Sequence, residues 1–222
     1  GSGTQLALAV GTALSRLYAL SLTTAEIAHL LKRGSRSGIG IAAFDYGGFI
    51  VDGGMDQTTK VPPILARHPY PENWRIVMII EHHHQGVHGG AESTAFDSLP
   101  DFPVSSAKTI CHLTLMQLLP ALVEHDFAHF GRSIIEIQAL IGDHFSQIQG
   151  GRFSSATVGS LLCKAKSLGF DGIAQSSWGP TGCVFVDNEQ TAIKLVSELN
   201  KALLMYTDAP EHYSIEIVKA SN

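Results

Sequence analysis

Apolar residues recur every three to four positions along much of this chain, broken by short continuous apolar runs, a mixture that predicts helices interleaved with strands. Leu6, Ala7, Val10, Leu14 and Leu17 mark a first helix that follows directly on Gly1-Ser2-Gly3-Thr4-Gln5, so a glycine loop sits on a helix N-terminus. Thr23-Thr24-Ala25-Glu26 reads as a capping box opening a second helix with Ile27, Leu30 and Leu31 on its apolar face, stopped by Gly34. Ser37 is placed to cap a short helix over Gly38 to Phe44. Met55 to Asn73 is polar and carries Pro62, Pro63, Pro69 and Pro71, which predicts an irregular connection and a domain boundary at Asn73.

Beyond it, Arg75 to Glu81 is a buried strand by its continuous apolar run. Ala107 to Asp126 and Gly131 to Phe145 are helical patterns, the first kinked or divided at Pro120. Ser154-Ser155 caps a further helix that ends at Gly169. Gly172 to Gln175 and Cys183 to Val186 form a hairpin around Ser176 to Gly182. Asp187, with Gln190, caps the last helix, and Ser214 to Val218 closes the chain as a strand. Strand, helices, strand, strand, helix, strand is the ferredoxin-like order. The expected organisation is therefore α+β, with one domain over 1–73 and a ferredoxin-like domain over 74–222.

A formal charge of −5 and the absence of any basic run argue against nucleic acid or an anionic membrane as main partner, although a small anion can bind locally. Cys111, Cys163 and Cys183 are far apart, odd in number and set in apolar surroundings, which predicts reduced core thiols and a cytoplasmic protein. No apolar run reaches membrane-spanning length. The chain lacks a starting Met and opens inside a glycine loop, so the reading is of a fragment with an incomplete N-terminal half that exposes apolar surface and an unpaired sheet edge.

The stretch Arg33 to Gly54 combines two arginines with a glycine-dense loop, so that backbone can approach a ligand while guanidinium groups meet its charge. A phosphate cradle is expected where Arg33, Ser35, Arg36, Ser37 and Gly38 meet helix N–H groups, with a second at Gly1, Ser2, Gly3 and Thr4. Ser176, Ser177, Trp178, Gly179, Thr181 and Gly182 form a third glycine and hydroxyl loop. Asp45 is either a group that touches substrate or a hairpin residue bonding adjacent backbone. Trp178 is either a stacking platform or a core plug. His82-His83-His84, with His88 nearby, alternates faces on a strand, so the three cannot share one metal without a turn, and no metal ligands are identified. Gly89-Gly90-Ala91-Glu92 is a flexible loop able to close over a ligand.

Three glycine loops at this spacing resemble the GHMP kinase superfamily, with Gly1-Ser2-Gly3-Thr4 matching the tail of its phosphate-binding loop and Ser176 to Gly182 its C-terminal glycine motif. Ser37-Gly38-Ile39 matches a third segment, after which mevalonate-type kinases carry a catalytic Asp where this chain has Gly40. More narrowly, Arg33 to Phe44, Gly47 to Gly54 and Gln175 to Thr181 are similar to the β-ribofuranosylaminobenzene 5′-phosphate synthase family. That resemblance implies a GHMP-like two-domain fold and a phosphoribosyl transferase rather than a kinase. Such an enzyme joins phosphoribosyl pyrophosphate to 4-aminobenzoate or 4-hydroxybenzoate, releasing CO₂ and pyrophosphate, in tetrahydromethanopterin biosynthesis and so in one-carbon metabolism. It further implies Arg36 and Asp45 as catalytic candidates, Mg²⁺ as a bridge between phosphate oxygens, no need for ATP, and room for a homodimer. An ATP-dependent small-molecule kinase and a sugar-phosphate sensor are the competing readings.

Overall fold

The computed structural model describes residues 2–34, 37–54, 61–83 and 99–222. The chain divides into two compact units, Gly1–Tyr70 with Ala220–Asn222, and Pro71–Lys219. In the first, helices α1 (Ser2–Leu17), α2 (Thr24–Leu30) and α3 (Ile39–Asp45) precede an antiparallel hairpin of β1 (Phe49–Asp52) and β2 (Ile64–His68). Thr23 accepts from the Glu26 N–H while Glu26 reaches back to the Thr23 N–H, so the predicted capping box opens α2.

The small core of this unit is Leu8, Ile27, Ala28 and Ile41. Gly11 lets α1 and α2 meet, because a Cβ there would stand 2.4 Å from Ile27 Cγ2. Leu6, Val10, Leu14 and Leu17 are exposed, the apolar surface expected of this half. Helix α1 is apolar on more than one side, and a period of 3.6 identifies a face without saying which neighbour covers it. The expected irregular connection contains β2: Pro63 and Pro69 flank that strand, where a missing N–H costs no ladder bond. At the other end of the hairpin the Gly48 N–H donates to Ser221 O at 2.6 Å, and a Cβ on Gly47 would lie 2.4 Å from the same oxygen. The Asn222 side chain then brackets the Tyr70 backbone with bonds of 2.7 and 2.9 Å.

In the second unit the sheet order is β4-β5-β3-β6, all antiparallel, formed by β3 (Arg75–Glu81), β4 (Ile173–Gln175), β5 (Gly182–Val186) and β6 (Tyr213–Val218). This is the split βαβ order predicted from the pattern. Helices α7 (Ala156–Ser167) and α8 (Glu189–Tyr206) cover one face, burying Val77, Ile79, Val184 and Val186 against Val158, Leu161, Leu162, Leu195 and Leu199. Each such side chain contributes about 1.5–3 kcal/mol of transfer free energy. Phe185 points to the other face, where Phe130 of α6 (Phe127–Gln149) meets it edge-on at 5.5 Å. Arg75, nearly buried, pairs with Glu189 and donates to the carbonyls of Glu72 and Trp74 at 2.7 and 2.8 Å.

Pro120 divides its helix as expected. Helix α4 (Val104–Leu113) gives way to a π-helical turn at Thr114–Leu118 and then α5 (Leu119–Val123), because proline has no N–H to continue the i to i−4 ladder. The cap of α8 is Asn188, whose side chain accepts from the Thr191 N–H at 2.8 Å, rather than Asp187 one residue earlier. Of the thiols only Cys183 is shielded, and burial pushes it up to about 12; Cys111 and Cys163 are exposed, which corrects the expectation of three core cysteines. Among the described residues no helix is long and apolar enough to cross a membrane.

Candidate anion-binding site

Helix α1 begins at Ser2, so Ser2, Gly3 and Thr4 form its first turn rather than a loop ahead of it. No acidic residue lies in that turn, and the first backbone N–H groups of a helix have no intrahelical acceptor. The Arg33 guanidinium reaches the same place: a Cβ built on Gly3 would stand 3.9 Å from Arg33 Nη1. A helix N-terminus of 16 residues beside an arginine that makes no ion pair among the described residues favours a phosphate group.

The start of α3 lies against this turn. The Gln5 side chain donates to Gly40 O at 2.7 Å, and a Cβ on Gly40 would press within 3.3 Å of Thr4 Cγ2. Thr4 therefore occupies the space into which a side chain at position 40 would project.

The start of α3 is not itself an open cradle. Asp52 Oδ2 accepts from Ser37 Oγ at 2.7 Å and from the Gly38 N–H at 2.8 Å, while Ser37 Oγ accepts from the Ile39 N–H at 3.2 Å. The Ser37 hydroxyl and the Gly38 and Ile39 N–H groups, placed to grip a phosphate, are thus already bonded, and a carboxylate stands where the anion was expected. The acceptor comes from β1, 14 residues from Gly38, too distant for any local capping rule to reveal it. Asp45 sits at the opposite end of this helix, about 9 Å along its axis, and its carboxylate accepts from Thr24 Oγ1 at 2.7 Å. Asp45 is a helical residue tying α3 to α2, not a hairpin residue. Arg67, unremarked in the sequence, donates to Tyr46 O at 2.5 Å and Gly47 O at 3.1 Å and fastens the turn after α3. Gly1, Ser35 and Arg36 lie outside the described residues, as do His84, His88 and Gly89 to Glu92.

In the second unit, the loop between β4 and β5 closes on itself. Ser176 N–H donates to Thr181 O at 2.9 Å and Gly179 N–H to Ser176 O at 2.7 Å. Gln175 runs beneath it: its Nε2 donates to Ser177 O at 2.9 Å and Gln149 Oε1 at 3.2 Å, and its Oε1 accepts from the Ser154 N–H at 2.7 Å. Gly179 combines φ 68° with a Cβ position only 1.9 Å from Ser154 Oγ, so both conformation and space exclude a side chain. Gly182 is similarly tight, 2.7 Å from Val158 Cγ1. Trp178 is 6% exposed and packs edge-on against Phe145 at 4.8 Å, the core plug of the two readings. What the loop offers a ligand is the exposed pair Ser176 and Ser177, whose hydroxyls make no hydrogen bond among the described residues.

The histidines at the end of β3 are held by neighbours: His82 Nε2 is 3.1 Å from Ser214 Oγ, and the His83 ring lies 3.9 Å from that of His212. His129 meets Asp126 Oδ2 at 2.6 Å. Among the described residues no group of three His, Cys, Asp or Glu side chains is arranged to hold a metal ion.

No protein-family model matches the chain. It is similar to three curated proteins named beta-ribofuranosylphenol 5′-phosphate synthase. The one from Archaeoglobus fulgidus is 37% identical over 87% of this chain and 62% of its own length, and the one from Methanothermobacter thermautotrophicus 34% over 81% and 57%. The one from Methanocaldococcus jannaschii is 34% identical over 100% of this chain and 68% of its own length. The chain thus spans roughly three fifths of the length of the first two relatives, 62% and 57%. In structure it resembles homoserine kinase from Cytophaga hutchinsonii, with a TM-score of 0.65 at 17% identity, covering 94% of this chain and 61% of that one. The likeness to a homoserine kinase shows the α+β GHMP-type fold, and the sequence similarity to the archaeal enzymes shows that the chain belongs to the β-ribofuranosylphenol 5′-phosphate synthase family.

Proposed function

We propose that the protein is a phosphoribosyl transferase that joins phosphoribosyl pyrophosphate to 4-hydroxybenzoate or 4-aminobenzoate, releasing pyrophosphate and CO₂, in the biosynthesis of tetrahydromethanopterin. The observation that carries this reading is Gly40, where mevalonate-type kinases carry an Asp and where a side chain would crowd Thr4, although homoserine kinases manage without that Asp. The names of the relatives supply the product class, a ribosylated phenol.

In this reading the first turn of α1 and Arg33 hold phosphate oxygens of the ribosyl donor, with Arg36 a further candidate for the donor's charge. As the C1–O bond to pyrophosphate breaks, negative charge builds on the leaving group, and preorganised N–H and guanidinium donors stabilise it at no cost of reorganisation. The ring carbon bearing the carboxylate attacks C1. Loss of CO₂ returns the C–C bonding pair to the ring and restores aromaticity, so no proton need be removed there. Orientation and electrostatics then carry most of the catalysis. Mg²⁺, if bound with the donor, would neutralise charge on the diphosphate leaving group beside Arg33. Three unpaired cysteines suit a reducing cytoplasm.

Calorimetry tests the reading against the kinase alternative. Phosphoribosyl pyrophosphate should bind with saturable heat, and ATP should neither compete with it nor be consumed when an alcohol is added. Tight ATP binding coupled to phosphorylation of an alcohol would replace the synthase by a kinase.

A further inference from the structure

The second unit holds a cavity of about 300 Å³ between α6, α7 and β4 that the phosphate-binding account does not use. Its walls include Ile135, Phe153 and Ile173, apolar side chains of or against the main core. Three groups give it chemistry: the amide of Gln138, the ammonium of Lys166 and the thiol of Cys163. Arg152 also lines it, but its guanidinium is committed to Asp143 through bonds of 2.7 and 2.9 Å.

Gln138 is 9% exposed, and its Oε1 accepts from the Gln175 N–H at 2.8 Å. A backbone N–H must face an acceptor, so this bond fixes which way the amide points. Nε2 is then the free end, and nothing among the described residues accepts from it. That donor faces open space and is left for solvent or a ligand to satisfy. Lys166, in the last turn of α7, is exposed and has no ion-pair partner among the described residues.

We propose that this cavity binds a benzoate carrying an oxygen at the para position. The ring lies between Ile135, Phe153 and Ile173, the carboxylate meets Lys166 at the rim, and the para oxygen accepts from Gln138 Nε2 inside. Gln138 is then the specificity residue: an amide N–H matches an acceptor hydroxyl oxygen and mismatches an amino group, which is chiefly a donor. The identification of this ring with the acceptor substrate rests on the reaction proposed above; the binding does not.

Cys163 is a built-in reporter, with exposed Cys111 as internal control and Cys183 silent because its thiol is buried. The experiment measures the rate at which a thiol reagent labels Cys163 and Cys111 in the chain as 4-hydroxybenzoate is added. Saturating ligand should slow Cys163 by about tenfold or more and leave Cys111 unchanged, and both 4-aminobenzoate and the Lys166→Gln variant should need roughly tenfold more ligand, the loss of one good polar contact. Gln138→Glu keeps an acceptor for the Gln175 N–H but offers no donor, so it should erase the preference for 4-hydroxybenzoate, because a carboxylate accepts from a hydroxyl and an amino group alike. No protection of Cys163 at millimolar 4-hydroxybenzoate, equal protection of Cys111, or a preference unaltered in a folded Gln138→Glu protein would overturn the site. Protection without CO₂ release in the presence of phosphoribosyl pyrophosphate would uphold the site and remove only the reaction.

Discussion

Two of the three glycine segments of this chain, one at the start of α1 and one between β4 and β5, read alike as sequence and differ as structure. At the first, Gly3 lies beside an arginine with no ion pair among the described residues, in a helical turn whose backbone N–H groups lack intrahelical acceptors. At the second, Gly179 fits over a serine hydroxyl, a glutamine side chain takes up the turn's polar groups, and a tryptophan plugs the core beneath. Glycine leaves room for the proposed ligand in one place and serves packing in the other. The difference lies in what a Cβ would meet: the end of a flexible cation at 3.9 Å, or a fixed hydroxyl at 1.9 Å.

Substitution at these two glycines should therefore have opposite consequences. Gly179→Ala must shift Ser154 and hold alanine at positive φ, and we expect a loss of about 3 kcal/mol in unfolding free energy, read by denaturant melts. Little change there would show that the loop relaxes and that its glycine is not structural. Arg33→Ala should leave stability within about 0.5 kcal/mol but weaken phosphoribosyl pyrophosphate binding by roughly 30- to 100-fold, as a charge-assisted phosphate contact would. Calorimetry on the variant decides it, and unchanged affinity would move the anion site elsewhere. Gly3→Ala should gain up to about 1 kcal/mol of stability from helix propensity while lowering affinity by a smaller factor, since the added methyl crowds the anion rather than removing a charge. Thermal melts and the same titration separate those two effects.

The smallest expected effect is shared by both units. Glu26 is held below the ordinary carboxylate range by the Thr23 N–H and hydroxyl, and Asp126 by the His129 N–H and ring. Because the folded values are the lower ones, these carboxylates stabilise fully above the ordinary pKa, roughly 4, and that contribution fades as pH falls through the depressed values. Melting temperature should drop below about pH 4 in the wild type and drop less steeply in Glu26→Gln, whose neutral side chain does not titrate.

Much of the second unit was legible in the sequence because its signals are local. The apolar run Arg75 to Glu81 is β3, and the glycine-rich hairpin and the serine cap at Ser155 lie where their residue types place them. The first unit was less legible because its determinants are distant. Asp52 reaches back to Gly38, Gln5 reaches forward to Gly40, and Ser221 pairs with Gly48, none of which a window of neighbouring residues contains. Prolines at 62, 63, 69 and 71 suggested irregularity, yet a strand needs only that they fall outside its ladder. In the candidate site, Arg33 and the first turn of α1 were recognisable from charge and glycine. The fate of Ser37 was not, because its competitor for the anion is a carboxylate brought in by a hairpin.

We propose that an anion-binding α1 end, with no carboxylate at position 40, serves ribosyl transfer and not phosphorylation. The direct measurement is to supply phosphoribosyl pyrophosphate and carboxyl-labelled 4-hydroxybenzoate and to follow labelled CO₂ and pyrophosphate together. The account predicts their release in equal amounts, at a rate lowered in both Arg33→Ala and Arg36→Lys proteins that remain folded, the second because lysine keeps the charge without the planar fork. Pyrophosphate released without CO₂, or neither product from the folded protein with either arene, would contradict it.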